Sequence, residues 1–160
     1  MTDQPTADDA DESTRTSPED GDAGATPTDR TLDWPDFWRE ADDADRAGAT
    51  PSDNRAPDAL APFVEARGVP DAVADVGCGT GNLVFEMAER YPETTVVGFD
   101  VAESVLADNR KRAREHGLDN VRFEQARLPE FAPEEAFDLV VSYFTLCYVA
   151  DVEAAVAALY

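Results

Sequence analysis

The chain has 160 residues, which is enough for one domain and a terminal tail. Its 35 Asp and Glu residues outweigh 13 Lys and Arg residues, so the formal net charge is −22. No basic stripe is visible that would neutralise phosphates, and we therefore expect no nucleic-acid partner. No apolar run reaches the roughly 18 residues of a membrane span, and the N-terminus lacks a signal-peptide pattern, so the sequence predicts a cytoplasmic protein without a membrane partner.

The composition also indicates the solvent in which the chain works. Abundant aspartate, arginine in place of lysine and many small alanines resemble the proteins of salt-loving archaea, and Lys111 is the only lysine. In concentrated salt, screening over a few ångströms removes the self-repulsion of such a charge, so we expect a halophilic protein. Cys78 and Cys147 lack the spacing of metal ligands, and we expect reduced thiols and no metal site.

The first residues differ from the rest in composition. Residues 1–31 contain no large apolar side chain after Met1. A stretch of this kind cannot bury enough surface to offset its ordering entropy, so we predict a disordered acidic tail.

Residues 32–68 are predicted to form an N-terminal helical segment. Three aromatic residues lie at helical spacing and are expected to anchor the first helix onto a domain: Trp34, Phe37 and Trp38. A second helix is expected to begin with Asp58 as its N-cap and to end at Gly68.

Residues 69–160 alternate between strand and helix patterns, which predicts an α/β fold with a doubly wound, Rossmann-like parallel sheet. We place the elements in this order: strand one at 72–77, a helix at 82–91, strand two at 94–100, a helix at 104–117, strand three at 121–126, strand four at 137–146 and a helix from 152. Strand four is apolar on both faces, which favours a central position in the sheet.

A glycine-rich loop follows strand one. Gly77, Gly79 and Gly81 stand there, and the next helix starts at once with unpaired N–H groups. Ligands of doubly wound sheets bind beyond the carboxyl ends of the strands. Asp100 ends strand two, where a carboxylate can accept hydrogen bonds from both hydroxyls of a ribose. These residues together predict a nucleoside-containing cofactor.

Two classes of cofactor compete for this loop. A dinucleotide fingerprint, G-x-G-x-x-G, would have its third glycine where this chain has Asn82. Asp75 precedes the first glycine by two residues, where an acid would crowd a pyrophosphate but suits a cationic amino group. The pattern disfavours an NAD(P)-binding oxidoreductase, which stays open as an alternative.

Three stretches, "ADVGCGTGNL", the acid of "VVGFD" and "FDLVVSYFTLCYVADVEAAVAALY", together resemble the class I S-adenosylmethionine-dependent methyltransferases from about Val73 to Tyr160. The resemblance implies S-adenosyl-L-methionine as cofactor and methyl transfer to an unidentified small-molecule acceptor. A non-catalytic cofactor-binding fragment is the alternative. Methyl transfer from a sulfonium needs alignment more than it needs a base, so we name no catalytic residue.

The resemblance also implies roles for individual residues. Asp75 would help to hold the amino group of the cofactor, and Asp100 would bind its ribose hydroxyls. The other implied positions are Gly77, Cys78, Gly79 and Gly81 in the loop around the methionyl part, Val101 beside the adenine, and Ser142 and Tyr143 facing the sulfonium and the acceptor.

One position departs from the family's pattern. Arg127 stands where the family usually has an acid that binds the adenine amino group. Arginine cannot accept a hydrogen bond. The adenine would instead be held by a backbone N–H near Ala126, by stacking on Arg127, or by Gln125.

The end of the chain is a second departure, because the family's sheet normally continues with three more strands. We therefore expect a methyltransferase-type sheet that is incomplete on its C-terminal side, with an open edge on strand four. The chain would be a fragment of a longer protein, a truncated product, or a sheet completed by a partner. An open edge of this kind also predicts self-association through strand four.

Overall fold

The computed structural model describes residues 33–49 and 56–160. The predicted tail at 1–31 lies outside the described residues. The helices and strands are α1 (Trp34–Glu40), α2 (Asp43–Ala49), α3 (Ala56–Arg67), β1 (Ala72–Val76), α4 (Asn82–Arg90), β2 (Thr95–Asp100), α5 (Glu103–His116), β3 (Val121–Gln125), β4 (Leu139–Val141), a 3₁₀ helix (Leu146–Tyr148) and α6 (Val152–Ala158). Of the helices in this part of the chain, none is long and apolar enough to cross a membrane.

The four strands form one parallel sheet in the order β3-β2-β1-β4. The chain runs outward from β1 through β2 to β3 and then returns to the other side of β1. This reversal makes a switch point between β1 and β4, which is where doubly wound sheets bind their ligands. The predicted doubly wound fold is confirmed.

Apolar side chains cover both faces of the central strands. Val73 and Val96 belong to a cluster built with α4 and α5, and Ala74 and Val97 belong to a second cluster on the opposite face. Burying an aliphatic side chain of this size stabilises the fold by about 1.5–3 kcal/mol. The buried residues of α4 include Leu83, Val84, Met87 and Ala88, and Tyr91 just after the helix is half-buried.

Strand four differs from its prediction. β4 has three half-buried residues and pairs with β1 on one side, while no described strand pairs with its outer edge. The central position expected from its apolar composition is therefore wrong for the described sheet, and the expected open edge is present. The strand cannot continue to residue 146, because Phe144 has a φ of 59° and Leu146–Tyr148 form a 3₁₀ helix.

The N-terminal segment forms two short helices before α3 instead of one. The Asp42 carboxylate accepts hydrogen bonds from the N–H groups of Ala44 (2.8 Å) and Asp45 (2.9 Å), which starts α2 as a separate helix. Trp38 is buried in the core, so the expected aromatic anchor is confirmed. Arg46 holds this segment on α5 through an ion pair with Asp108 (2.7 Å).

The predicted C-terminal end of α3 is confirmed, whereas the predicted N-terminal end is wrong. Gly68 closes the helix with a φ of 98° and donates its N–H to the Val64 carbonyl (2.8 Å), as expected of a glycine stop. Asp58 lies inside the first turn and not at the N-cap, because the helix already includes Ala56. Its carboxylate there still favours the helix dipole.

Candidate functional site

A cavity of about 840 Å³ opens at the carboxyl ends of the strands. The loop after β1, the ends of β2 and β3, the segment after β4 and helix α1 all contribute to its walls. Nine predicted site residues line it: Asp75, Gly77, Cys78, Gly79, Asp100, Val101, Ala126, Arg127 and Tyr143. Gly81 and Ser142 are not among its lining residues.

The glycine loop folds back onto β2. The N–H groups of Gly77 (2.7 Å) and Cys78 (2.9 Å) both donate to the Phe99 carbonyl. Gly77 has a φ of 84°, and a Cβ there would lie 2.1 Å from the Thr145 hydroxyl oxygen. Glycine is therefore required at this position both by its conformation and by the segment after β4, which approaches it closely.

Gly81 connects the glycine loop to α4 and is not among the residues that line the cavity. It has a φ of 74° and stands at the N-cap of α4. A Cβ there would lie 3.0 Å from the Phe85 ring and 3.2 Å from the Asn109 amide. Gly81 therefore lets the loop turn into the helix, and its contacts are with the protein.

Asp75 is a buried carboxylate that faces the cavity. Its residue is 4% exposed, and no described residue donates a hydrogen bond to it. Burial, and then the negative charge of Asp100, raises the pKa of Asp75 from 3.8 to about 7. Burying an ionised carboxylate without a hydrogen-bond donor costs free energy. A cationic group that donates a hydrogen bond to Asp75 would offset this cost.

Asp100 is buried but well provided with donors. Its Oδ2 accepts from the Gly79 N–H (2.9 Å) and its Oδ1 from the Ala102 N–H (3.0 Å). Burial raises the pKa of Asp100, and hydrogen bonds from the Ala102 and Gly79 N–H groups work against that rise. The sequence assigned Asp100 to a ribose alone, whereas the structure also makes it a support for the glycine loop. Each oxygen keeps a lone pair for a further donor.

Three expected contacts with the base, from Ala126, Gln125 and Arg127, lie at the end of β3. The Ala126 N–H donates to the Asp100 carbonyl (3.0 Å), so it is already used by the sheet. The Gln125 amide nitrogen donates to the Val101 carbonyl (2.8 Å). Arg127 is exposed, has no ion-pair partner among the described residues, and lines both this cavity and an adjoining one of about 510 Å³.

The segment after β4 is tied to the rest of the site by hydroxyl groups. Ser142 donates to the Val76 carbonyl (3.0 Å), and Thr145 lies 3.4 Å from the Gly77 carbonyl. Ser142 therefore joins β4 to β1, while Tyr143 lines the cavity as expected.

Cys78 and His116 could in principle act as a nucleophile and a base, but neither has an environment that favours this chemistry. Burial, followed by the charges of Asp75 and Asp100, raises the pKa of the Cys78 thiol well above its ordinary value, so Cys78 is a protonated packing residue. His116 lies at the exposed end of α5, 3.7 Å from Glu89, and does not line the cavity.

Three contributors were missed at the sequence level. Trp34 and Trp38 of α1 line the cavity, so the N-terminal segment is part of the site. Asn109 of α5 is buried and donates its amide N–H to the Gly79 carbonyl (2.7 Å). The cluster of aromatic residues was a signal for the first two, whereas a single Asn on a helix carries none.

The described residues contain no group of His, Cys, Asp and Glu that would hold a metal ion.

A parallel sheet with a glycine loop and two buried acids at its switch point defines an α/β protein of the nucleoside-binding class. Residues 70–159 match a family described as "Methyltransferase domain", so the chain belongs to that family. The resemblance to class I S-adenosylmethionine-dependent methyltransferases is confirmed.

Individual relatives share only part of their length with this chain. Trans-aconitate 2-methyltransferase of Acidovorax sp. (strain JS42) is 38% identical over 81 residues, which cover 51% of this chain and 30% of the relative. Aklanonic acid methyltransferase DauC of Streptomyces sp. (strain C5) is 32% identical over 127 residues, covering 76% of this chain and 55% of the relative. The chain thus spans about a third to half of these curated relatives.

A solved methyltransferase structure is also similar to this chain over part of its length. The S-adenosylmethionine-bound structure of CalS10, an amino pentose methyltransferase from Micromonospora echinaspora, has a TM-score of 0.56 and 32% identity to this chain. The match covers 72% of this chain and 48% of that one.

Proposed function

We propose that the cavity binds S-adenosyl-L-methionine and that the chain takes part in methyl transfer to a small-molecule acceptor. The observation that carries this proposal is Asp75, an acid buried in an open cavity beside a glycine loop, with no described donor. The ammonium group of the cofactor supplies the donor and the opposite charge that Asp75 lacks.

The strand order supports one orientation of the cofactor. The glycine loop follows β1, Asp100 ends β2, and Val101 and Arg127 lie beyond it, towards and after β3. A nucleoside laid across these ends places its amino-acid part at Asp75, its ribose at Asp100 and its base beside Val101. The sulfonium then faces the segment after β4.

The bound cofactor supplies a methyl group that is already activated by the positive sulfur, so the protein's share is alignment and exclusion of water. Asp75 and Asp100 fix the two ends of the amino-acid and ribose parts. Trp34 and Trp38 of α1 cover the cavity and limit access of water. Tyr143 and Thr145 border the space in front of the sulfur, where the acceptor would lie.

The acceptor is a proposal at the level of a small molecule. The relatives are named for acceptors as different as trans-aconitate and aklanonic acid, and CalS10 for an amino pentose. We also propose a cytoplasmic, salt-adapted protein, which the acidic composition supports.

Titration calorimetry in molar KCl tests the cofactor assignment. We expect S-adenosylhomocysteine and S-adenosylmethionine to bind and NAD to bind weakly or not at all. Asp75→Asn should weaken S-adenosylhomocysteine binding, and Glu130→Gln, at an exposed carboxylate of the same cavity, serves as the control. Tight binding of NAD without binding of S-adenosylhomocysteine would contradict the proposal and favour an oxidoreductase domain.

A further inference from the structure

Several aromatic side chains turn their rings towards the acceptor side of the cavity. Tyr143 is 38%, Phe144 60% and Tyr148 44% exposed, and all three line the cavity together with half-buried Trp34. The rings are paired edge to face, Tyr143 with Phe144 at 5.0 Å and Trp34 with Tyr148 at 4.8 Å between centroids. These two ring pairs line the same cavity, and we refer to them together as the aromatic wall.

Phe144 is the informative member of this wall. Its φ of 59° lies in the left-handed region, which costs a bulky residue conformational free energy. Phe144 is the most exposed aromatic residue that lines the cavity, so packing among the described residues does not offset that cost. A strained backbone that presents an apolar ring to an open cavity is typical of a site that uses the ring for a ligand.

The charges at the mouth of the cavity restrict that ligand. Four exposed carboxylates line it: Asp33, Asp36, Glu130 and Asp151. Arg39 lines it too, but its guanidinium is paired with Asp36 at 2.6 Å. Arg127 is the one lining cation without an ion-pair partner among the described residues. The cavity therefore has aromatic walls, and its lining carries more negative than positive charge.

We propose that the acceptor is a planar aromatic molecule without carboxylate groups, stacked on Phe144 and Tyr148. This inference rests on the proposed function for the identity of the cofactor. Aromatic walls with few polar groups favour flat apolar ligands, and a negative rim repels polyanions. A phenol or hydroquinone has both properties. Methylation of its hydroxyl oxygen would form an O–CH3 bond, break the S–CH3 bond of the cofactor to leave S-adenosylhomocysteine, and release the hydroxyl proton to solvent.

The test uses the whole chain saturated with S-adenosylhomocysteine in molar KCl. Naphthol serves as the planar neutral probe and trans-aconitate as a non-aromatic tricarboxylate, with binding followed by tryptophan fluorescence and calorimetry. We expect naphthol to bind and trans-aconitate not to bind. Phe144→Gly should weaken naphthol binding about tenfold, because the ring is lost.

Two features keep the result interpretable. Phe144→Gly should leave the melting temperature unchanged or raise it, since glycine relieves the strain, so lost binding will not reflect lost folding. Phe63→Ala is the matched control, because Phe63 is 42% exposed on α3 and does not line the cavity. It should bind naphthol like the parent.

The outcomes separate this inference from the cofactor assignment. Equal naphthol affinity in Phe144→Gly and the parent, no naphthol binding at all, or tighter binding of trans-aconitate would overturn the aromatic acceptor. If S-adenosylhomocysteine fails to bind, the proposed function fails on its own, and naphthol binding measured without it still reports whether Phe144 holds an aromatic ligand.

Discussion

Asp75 lies within β1, one residue before its end, and Asp100 ends the neighbouring strand β2. Both are buried, but they differ in their hydrogen-bond donors. Asp100 accepts two backbone N–H groups, whereas no described residue donates to Asp75. The pKa of Asp75 rises to about 7 as a result of burial and of the charge on Asp100. Asp75 therefore changes its protonation near neutral pH, and cofactor binding and stability should both depend on it.

Binding of a cationic amino group should improve as pH rises to about 7. Below that value, Asp75 must lose a proton before it can pair with the cation, so affinity for S-adenosylhomocysteine should fall up to tenfold per pH unit. Calorimetry between about pH 5.5 and about pH 7.5 measures this dependence. Asp75→Asn should bind more weakly at the upper end and show a flat profile. A parent profile equally flat would mean that Asp75 does not contact the cation.

The same group should affect the unliganded chain in the opposite direction. A raised pKa means that the folded chain holds this proton more tightly than the unfolded chain, so the stabilisation is full below pH 3.8 and is lost as pH rises to about 7. About three pKa units correspond to about 4 kcal/mol. Asp75→Asn should therefore melt higher than the parent without ligand, and the difference should grow with pH. Glu130→Gln, at an exposed carboxylate, should show no such pH-dependent gain.

A substitution of Arg127 tests where the adenine base of the cofactor binds. Arginine only donates, so it cannot accept from an exocyclic amino group, whereas Arg127→Asp provides an acceptor there. We expect Arg127→Asp to bind S-adenosylhomocysteine more tightly by about 1 kcal/mol. An analogue whose amino group is replaced by a carbonyl oxygen should show no gain. The same gain for both ligands would show that the substitution acts through charge alone.

At the scale of elements, helix α5 and strand β2 together hold the glycine loop. The Gly79 N–H donates to Asp100 after β2, and the Gly79 carbonyl accepts from Asn109 of α5 at 2.7 Å. Both polar backbone atoms of the residue in the middle of the loop are thus fixed before any ligand arrives. Such preorganisation lowers the ordering cost of binding.

Removing the second of these bonds should loosen the loop. Asn109→Ala leaves the Gly79 carbonyl without its donor, and we expect a loss of about 1–3 kcal/mol in unfolding free energy and weaker S-adenosylhomocysteine binding. Chemical denaturation and calorimetry measure the two effects. Lys111→Ala, on the exposed side of the same helix, is the control and should change neither. Unchanged binding in Asn109→Ala would indicate that the ligand itself orders the loop.

The sequence predicts those elements whose signals are local. The helices predicted at 82–91 and 104–117 and the acid at the end of β2 follow from patterns in consecutive residues, and all three are found close to where they are expected. The extent of β4 depends on Phe144 turning into the left-handed region, which no local pattern announces. The aromatic cluster of α1 indicated that this helix packs on the domain, but its contribution to the cavity depends on contacts across the fold.

On the scale of the whole molecule, charge sets the conditions for every measurement above. A net charge of −22 produces strong self-repulsion in dilute buffer. The ion pairs among the described residues involve partly exposed side chains, and such pairs contribute little each. Stability should therefore come mainly from the two apolar clusters around the sheet, once salt has screened the repulsion.

Screening should also control association through the outer edge of β4. The Asp138 N–H donates to β1, so by alternation the N–H groups of Leu139 and Val141 face the open edge. We expect the chain to be monomeric at about 0.1 M KCl, where repulsion persists, and to self-associate at about 1 M, where charges act over about 3 Å. Sedimentation velocity in the two solutions measures the change.

Val141→Pro removes one outward N–H and should keep the chain monomeric in high salt. Val141→Ala loses similar packing but keeps that N–H, and should associate like the parent. If the two variants associate to the same extent, the contact between copies lies elsewhere than on this edge.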